Sequence, residues 1–329
     1  MPNNPLVSVY CLTYNHENYI RDTLDGFVNQ KTNFPFEVFV HDDASSDNTP
    51  VIIQEYATRY PDIIKPILQT ENQYSKGINI VRTFINPHIK GKYIAACEGD
   101  DYWNDINKLQ ILVSFLENHP EYVACVHDTL KINKKDNSIG TFITLEKDSD
   151  LKTEDIILRT GNGFFHFSSV VYKSEYLINE RPEFFSKSPG VGDYPLAVYL
   201  ALNGKIRYVN RIMSIYRVCV PGSWTDRNRR KDVNDIIKCR NNIVEMLKSA
   251  NEYSSNRHKD IIEKAINKLL YGNLVIKGDY QSIKNTPKMY GFHRSQTIKT
   301  RISVYLKCKF IYLFTLYKKT KILLMDRFN

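Results

Sequence analysis

The chain has no apolar run long enough to cross a bilayer, which takes about 20 consecutive apolar residues. Its opening, MPNNPLVSVYCLTYN, lacks a basic leader segment and reaches polar residues too soon for a secretory signal. Both absences point to a cytoplasmic protein, with peripheral contact to the inner face of a membrane left open. Cysteine is scarce: Cys11, Cys97, Cys125, Cys219, Cys239 and Cys308 are scattered, and none forms a CxxC pair. Most sit in apolar runs, where a free Cys behaves as a small hydrophobe. The reading is a reducing compartment and no zinc site. Repeats and low-complexity tracts are also missing. What remains is an ordinary globular composition, 42% hydrophobic and 25% charged. At 329 residues the chain can build one large α/β domain with an appendage, or two modest domains.

The net charge of +9 is uneven, because residues 301–329 carry seven Lys/Arg against one Asp. Basic residues alternate there with Phe, Tyr, Leu and Ile. That pattern suits a segment lying on an anionic membrane face. It equally suits a C-terminal helix docked on the protein with a solvated basic face. Nucleic acid is not the expected partner, since no binding motif accompanies the charge.

The first half alternates apolar runs with helix-period segments. LVSVYCLTY (6–14) reads as a strand buried on both faces. Ile20, Leu24, Phe27 and Val28 then fall on one helix face. FEVFVHDD (36–43) is a second strand, and Thr49–Pro50 opens a helix reaching about Arg59, with Thr49 as N-cap. IIKPILQT (63–70) reads as a third strand, 78–89 as a helix, and KYIAACEGDD as a fourth strand. Leu109, Leu112, Val113 and Leu116 mark a helix that stops before Pro120, and YVACVHDTLKI (122–132) a fifth strand. Strand–helix repetition of this kind predicts a mostly parallel sheet flanked by helices. Ligands bind such sheets at the carboxyl ends of the strands. Three polar clusters fall at those ends: TYNH, HDDASSDNT and EGDDYW.

Beyond residue 134 the pattern loosens. KKDNSIG reads as a turn between two strands, and GNGFFHFSSVVY (161–172) as a strand. GVGDYPLAVYLALNG (190–204) reads as a helix, IRYVNRIMSIYRV (206–218) as a strand, and 225–272 as charged helix. The expected division is 1–222, with halves meeting near 130, followed by a helical region 223–329.

Glu98, Asp100 and Asp101 leave an apolar strand next to Gly99, where the backbone can come close to a ligand. Such oxygen donors suit a hard cation, Mg²⁺ or Mn²⁺, which can neutralise a leaving diphosphate. The plainer reading of GDDYWND is a turn with a helix-capping Asp. It accounts for Asp105 and leaves Glu98 unexplained. In HDDASSDNTP, Asp47 reads as a turn former, while Asp42 and Asp43 suit a base edge or a ribose hydroxyl.

The order VSVYCLTYNHENYI, FEVFVHDDASSDNT, KYIAACEGDDYW resembles the bacterial family 2 glycosyltransferases, over roughly residues 5–220 and most strongly over 5–130. The resemblance implies the GT-A fold, a Rossmann-like nucleotide-diphospho-sugar domain. It also implies inverting transfer of a sugar to an acceptor with Mg²⁺ or Mn²⁺. It places Thr13, Tyr14 and Asn15 at the base, Asp42 or Asp43 at the uracil or ribose, and Arg82 beside the nucleotide. Asp100 and Asp101 fall at the metal, with Asp100 and Glu98 also on the nucleotide-sugar side; the motif's first acid is here Glu98 instead of Asp. The general base maps to Asp193, which also suits a helix N-cap before Pro195, and a negative charge is favoured at a helix N-terminus. The preceding acid of the family is here Gly192. Cys219 stands where many members carry a His, so either the acidic motif mainly holds the metal, or Arg217 and the loop Gly222–Trp224 meet the diphosphate. His166 is a candidate on the acceptor side or a packed core residue. Tyr102, Trp103 and Trp224 suit either sugar stacking or core.

The family reading implies a UDP-sugar donor, with glucose a common choice. It implies a lipid-diphosphate-linked or glycan acceptor in O-antigen or capsule assembly. A nucleotidyltransferase would normally carry a Gly-rich basic phosphate loop near its N-terminus, and TYNHENY has no glycine. The remaining rival is a nucleotide-sugar or glycan-binding scaffold without turnover, which Gly192 and Cys219 keep open.

Overall fold

The computed structural model describes residues 4–133, 137–161, 163–188, 192–313 and 320; of Trp224 it describes the backbone alone. Parts of KKDNSIG, of the glycine-punctuated segments near 162 and 190, and of the C-terminal tail lie outside the described residues. The chain divides into two compact units, Met1–Arg181 with Leu196–Val220, and Pro182–Pro195 with Pro221–Asn329.

The first unit is a ten-stranded sheet with helices packed on it. In chain order it contains β1 (Val7–Thr13), α1 (Ile20–Val28), β2 (Phe36–Asp42), α2 (Thr49–Arg59), β3 (Ile64–Leu68), β4 (Tyr93–Ala96), β5 (Tyr102–Trp103) and α3 (Lys108–Asn118). There follow β6 (Tyr122–Ile132), β7 (Ser138–Thr141), β8 (Ser149–Asp150), α4 (Thr153–Leu158), β9 (Val171–Lys173), α5 (Glu175–Ile178), α6 (Asp193–Asn203, whose first three residues fall in the second unit) and β10 (Lys205–Arg217). The main strand order is β3-β2-β1-β4-β9-β6-β10-β5. The four strands β3, β2, β1 and β4 are parallel, with Thr13 opposite Asp42 at the carboxyl end. Buried residues such as Val7, Val9, Val38 and Ala95 fill them, and Leu24, Phe27, Leu112 and Leu116 cover them from α1 and α3. These are the apolar, β-branched runs that a sheet covered on both faces requires.

The second half of the sheet is mixed. β9 runs antiparallel between β4 and β6, while β6 and β10 are parallel to each other. Expected parallel regularity therefore holds for the first half and gives way beyond Gly99. Two local expectations also change. Residues 78–89 form a π-helical turn, Val81–Ile85, followed by a 3₁₀ turn, Asn86–His88. Within 161–172 only Val171 onward is strand, preceded by the 3₁₀ turn Phe167–Ser169. Short apolar runs do not by themselves distinguish these outcomes.

The second unit is helical: α7 (Trp224–Arg230), α8 (Val233–Tyr253), α9 (Lys259–Lys277), α10 (Tyr280–Asn285), α11 (Pro287–Arg294) and α12 (Ile298–Lys309). The last four share a small core of Tyr271, Ile283, Met289, Val304 and Cys308.

Candidate active site

β2, β1 and β4 are adjacent, so all three polar clusters emerge at one sheet edge. The first two are laced together. Asn15, in the left-handed region at φ 56°, donates its N–H to Ser45 Oγ and accepts the Ser46 N–H on Oδ1. Asp47 accepts the N–H groups of Glu17 and Thr49. Thr49 is the first helical residue, not the cap; its hydroxyl accepts the His16 N–H at 2.8 Å.

Asp42 and Asp43 of the second cluster are both buried and partnered. Asp42 takes the N–H and the hydroxyl of Ser45. Asp43 takes the N–H groups of Gln73 and Tyr74 at 2.8 and 3.0 Å, closing the loop after β3 onto the sheet edge. Of the other expected nucleotide contacts, Thr13 is buried and its hydroxyl has no hydrogen-bond partner among the described residues, and Tyr14 is 47% exposed. Arg82 is exposed on its π-helical turn, and its guanidinium has no hydrogen-bond or ion-pair partner among the described residues. Such turns are frequent at functional sites.

The third cluster differs. Ligand oxygens of Glu98, Asp100 and Asp101 lie within 4.8 Å of one another. Asp100 and Asp101 are buried, and Asp100 Oδ1 and Asp101 Oδ2 have no hydrogen-bond partner among the described residues. Burial, together with the neighbouring charges of Asp100 and Glu98, pushes the Asp101 carboxyl well above the usual carboxylate range. Converging, underpartnered carboxylate oxygens are a poor arrangement for a protein alone and a good one for a hard divalent cation. The residues therefore fit the expected metal.

Neighbouring elements hold this motif in place. Gly99 has to be glycine, because a Cβ there would sit 2.7 Å from Thr13 and 2.9 Å from His16 Nδ1. From α1, the buried Thr23 hydroxyl lies 3.1 Å from the Gly99 carbonyl and 2.6 Å from that of Asp101. Arg217, at the end of β10, donates its N–H to Asp101 Oδ1 at 2.9 Å and Nη1 to the Asp100 carbonyl at 3.0 Å. Its other arm pairs with Asp22, and its guanidinium lies 4.5 Å from the centre of the Tyr102 ring. Arg217 thus braces the motif, a role that the sequence reading did not give it beside its expected diphosphate contact.

His166 is packed between Phe142 and Tyr216, and its Nε2 reaches to 3.7 Å from Asp101 Oδ2. Burial lowers its pKa to about 3, so the imidazole is neutral and this contact is not an ion pair. Trp103 belongs to the core: it is buried against Phe27 and donates Nε1–H to the Ser168 carbonyl at 3.1 Å. Asp193 is exposed as the first residue of α6 instead of its cap, and accepts the Tyr194 N–H on Oδ1. Trp224 opens α7; its side chain lies outside the described residues.

The sequence reading did not single out His16, Asp22 or Thr23. Thr23 is legible in retrospect as the one hydroxyl on the buried face of α1. His16 closes the TYNH cluster with a buried, unpartnered Nδ1 beside Gly99. Asp22 carries no sequence signal, because its partner Arg217 is 195 positions away.

The chain is similar to known proteins in sequence and in fold. An uncharacterized protein of Mycobacterium tuberculosis is 37% identical over 227 residues, 68% of this chain. The match spans 63% of that relative's length. A chondroitin synthase of Pasteurella multocida is 28% identical over 63% of this chain and 20% of its own length. Among solved structures, S. aureus TarS 1-349 in complex with UDP superposes with a TM-score of 0.58 at 17% identity. That superposition covers 92% of this chain and 80% of TarS 1-349, and the shared fold is GT-A. The model described as glycosyl transferase family 2 matches residues 8–178, the span that holds all three clusters, and the chain belongs to that family.

Proposed function

We propose that the protein moves a sugar, with inversion, from a nucleotide-diphospho-sugar to a hydroxyl of a lipid-diphosphate-linked or glycan acceptor in bacterial surface polysaccharide assembly. The observation that carries this reading is the Glu98–Asp100–Asp101 cluster at the sheet edge, in which Asp100 Oδ1 and Asp101 Oδ2 are buried with no hydrogen-bond partner among the described residues. Family membership supports the transfer. TarS, solved with UDP and with UDP-GlcNAc, supports a UDP-sugar as the first donor to test. Relatives named for chondroitin and for minor teichoic acid synthesis support a polysaccharide product, of which O-antigen and capsule are the classes proposed.

Asp100 and Asp101 would hold Mg²⁺ or Mn²⁺, with Glu98 beside them. Such a cation, when bound, supplies charge neutralisation for the departing diphosphate. In the reaction proposed, Asp193 takes the proton of the acceptor hydroxyl, and that oxygen bonds to the anomeric carbon. The bond from that carbon to the diphosphate oxygen breaks, and the nucleoside diphosphate leaves. Thr13 and Tyr14 face the base, and Arg82 supplies a cation to the nucleotide. Arg217, Asp22 and Thr23 keep the acidic motif in register.

The test is a screen of UDP-glucose, UDP-GlcNAc, GDP- and dTDP-sugars with and without Mn²⁺, read as nucleoside diphosphate release. Metal-dependent release of one diphosphate is the expected result. Asp193→Asn should keep donor binding and lose transfer to acceptor by about a hundredfold or more. Donor binding without turnover would point to the scaffold reading. No binding of any nucleotide sugar by the folded protein would overturn the proposal.

A further inference from the structure

Helix α12 has two apolar faces, and its own unit uses one. Val304 and Cys308, one turn apart, pack into the small helical core with Tyr271, Ile283 and Met289. Ile298, Ile302, Tyr305 and Leu306 are exposed, Ile298 by 68% and Ile302 by 56%. Their spacing of four, then three or four, is that of one continuous stripe along a helix. Lys309 extends the stripe, and exposed Phe310, Tyr312 and Leu313 follow it. An ordinary surface helix turns polar residues outward, so a second apolar face calls for a covering.

The charge around that face indicates what covers it. Residues 280–325 contain ten Lys/Arg and no Asp or Glu. Among the described residues, Lys288 with Glu263 at 3.7 Å is the one ion pair this stretch makes. Lys299, Lys307 and Lys309 are exposed, and Lys309 Nζ lies 5.8 and 5.6 Å from the ring centres of Tyr305 and Phe310. A second copy of the chain would bring lysines against lysines with no acid to receive them. A nucleic acid would satisfy the lysines and leave the isoleucines in water. An anionic bilayer satisfies both, because its headgroup phosphates take the cations while the acyl boundary takes the apolar side chains.

We propose that the outward face of α12 is a docking surface for an anionic membrane. The helix lies in the plane of the interface, Ile298, Ile302, Tyr305 and Leu306 enter the headgroup layer, and Lys299 and Lys309 meet lipid phosphates. Among the described residues no helix is long and apolar enough to cross a membrane, in keeping with a surface-lying mode. The inference rests on the helical unit alone and does not depend on the donor chemistry.

The experiment is co-sedimentation of the full chain with vesicles of phosphatidylcholine, and of phosphatidylcholine mixed with phosphatidylglycerol. Binding should require the anionic lipid and weaken as salt is added. Lys299→Gln with Lys309→Gln should lower vesicle affinity about 25-fold, each lysine near the surface being worth about fivefold. Ile302→Ser with Leu306→Ser should lower it at least tenfold with the charge unchanged; circular dichroism confirms that both variants are helical. Equal binding to both vesicles would overturn the proposal, as would serine variants that bind like the wild type. No vesicle binding, with a dimer in light scattering that the serine variants dissociate, would assign the face to a second copy.

Discussion

Asp42–Asp43 and Asp100–Asp101 are two pairs of adjacent aspartates at the carboxyl ends of strands that flank the same neighbour, β1. All four side chains are buried. In the first pair each carboxylate is met by donors: the neighbouring Ser45 for Asp42, and the backbone of Gln73 and Tyr74, thirty positions on, for Asp43. In the second pair one oxygen of each has no partner among the described residues, and a third carboxylate, Glu98, stands within 4.8 Å. Local sequence explains Asp42's part of the contrast. Asp42 is followed by Ser45, which reaches back as an Asx-type turn, whereas Asp100 and Asp101 run directly into Tyr102 and Trp103. The same residue pair thus serves as a fastening on β2 and as an open ligand set after β4.

The largest effect expected separates these two uses. Asp101→Ala should cut metal-dependent nucleoside diphosphate release by about a thousandfold, the scale of losing one preorganised charge-stabilising group. The same change removes a buried carboxylate crowded by Asp100 and Glu98, so the metal-free variant should melt at or above the wild-type temperature. Activity and melting temperature falling together would make Asp101 a fastening like Asp43 and end the contrast.

A buried cation behind the motif provides the second test. Lys108 opens α3 with its Nζ fully buried, unpartnered among the described residues, and 3.7 Å from the centre of the Trp103 ring. Burial lowers its pKa from 10.5 to about 7. The unfolded chain therefore holds this proton more tightly than the folded one. The resulting penalty is fully present below pH 7 and disappears as pH rises to about 10.5. A shift of this size corresponds to roughly 4–5 kcal/mol, part of which the Trp103 face offsets by cation–π attraction. Lys108→Met should therefore stabilise the protein more at pH 6.5 than at pH 9.5 in urea unfolding. Equal gains at both pH values would show that the amine has no depressed pKa in the folded protein.

How much of this was legible before the structure follows the same contrast. The strands β1, β2, β4 and β6 announce themselves as apolar runs, and the acids at their ends mark the ligand edge, because burial on both faces and strand polarity are written locally. The intrusion of β9 between β4 and β6 was not legible: three residues, Val171–Lys173, carry too short a pattern to show their pairing. Nor was the bracing of the acidic motif. Arg217 reaches Asp100, Asp101 and Asp22 across long separations, and the sequence offered it only as a diphosphate contact. The two aspartate pairs themselves read alike in sequence. What distinguishes them is whether backbone N–H groups from a distant loop arrive to satisfy them.

That last point has its own test. Asp43 receives two N–H groups from Gln73 and Tyr74, residues thirty positions away, so its carboxylate holds the loop after β3 against the sheet edge. Asn at 43 would keep one acceptor oxygen and turn an NH₂ toward an N–H, leaving a buried donor unmatched. The expected cost is about 1–3 kcal/mol of unfolding free energy. The released loop lies beside the proposed base pocket, so the donor KM should rise severalfold while kcat stays within about twofold, the pattern of lost uniform binding. Ser45→Ala, which removes one donor from Asp42, should cost less, about 1 kcal/mol. A large loss in kcat for Asp43→Asn with stability unchanged would place Asp43 in the chemistry alongside Asp101, and the two pairs would then be functional equivalents.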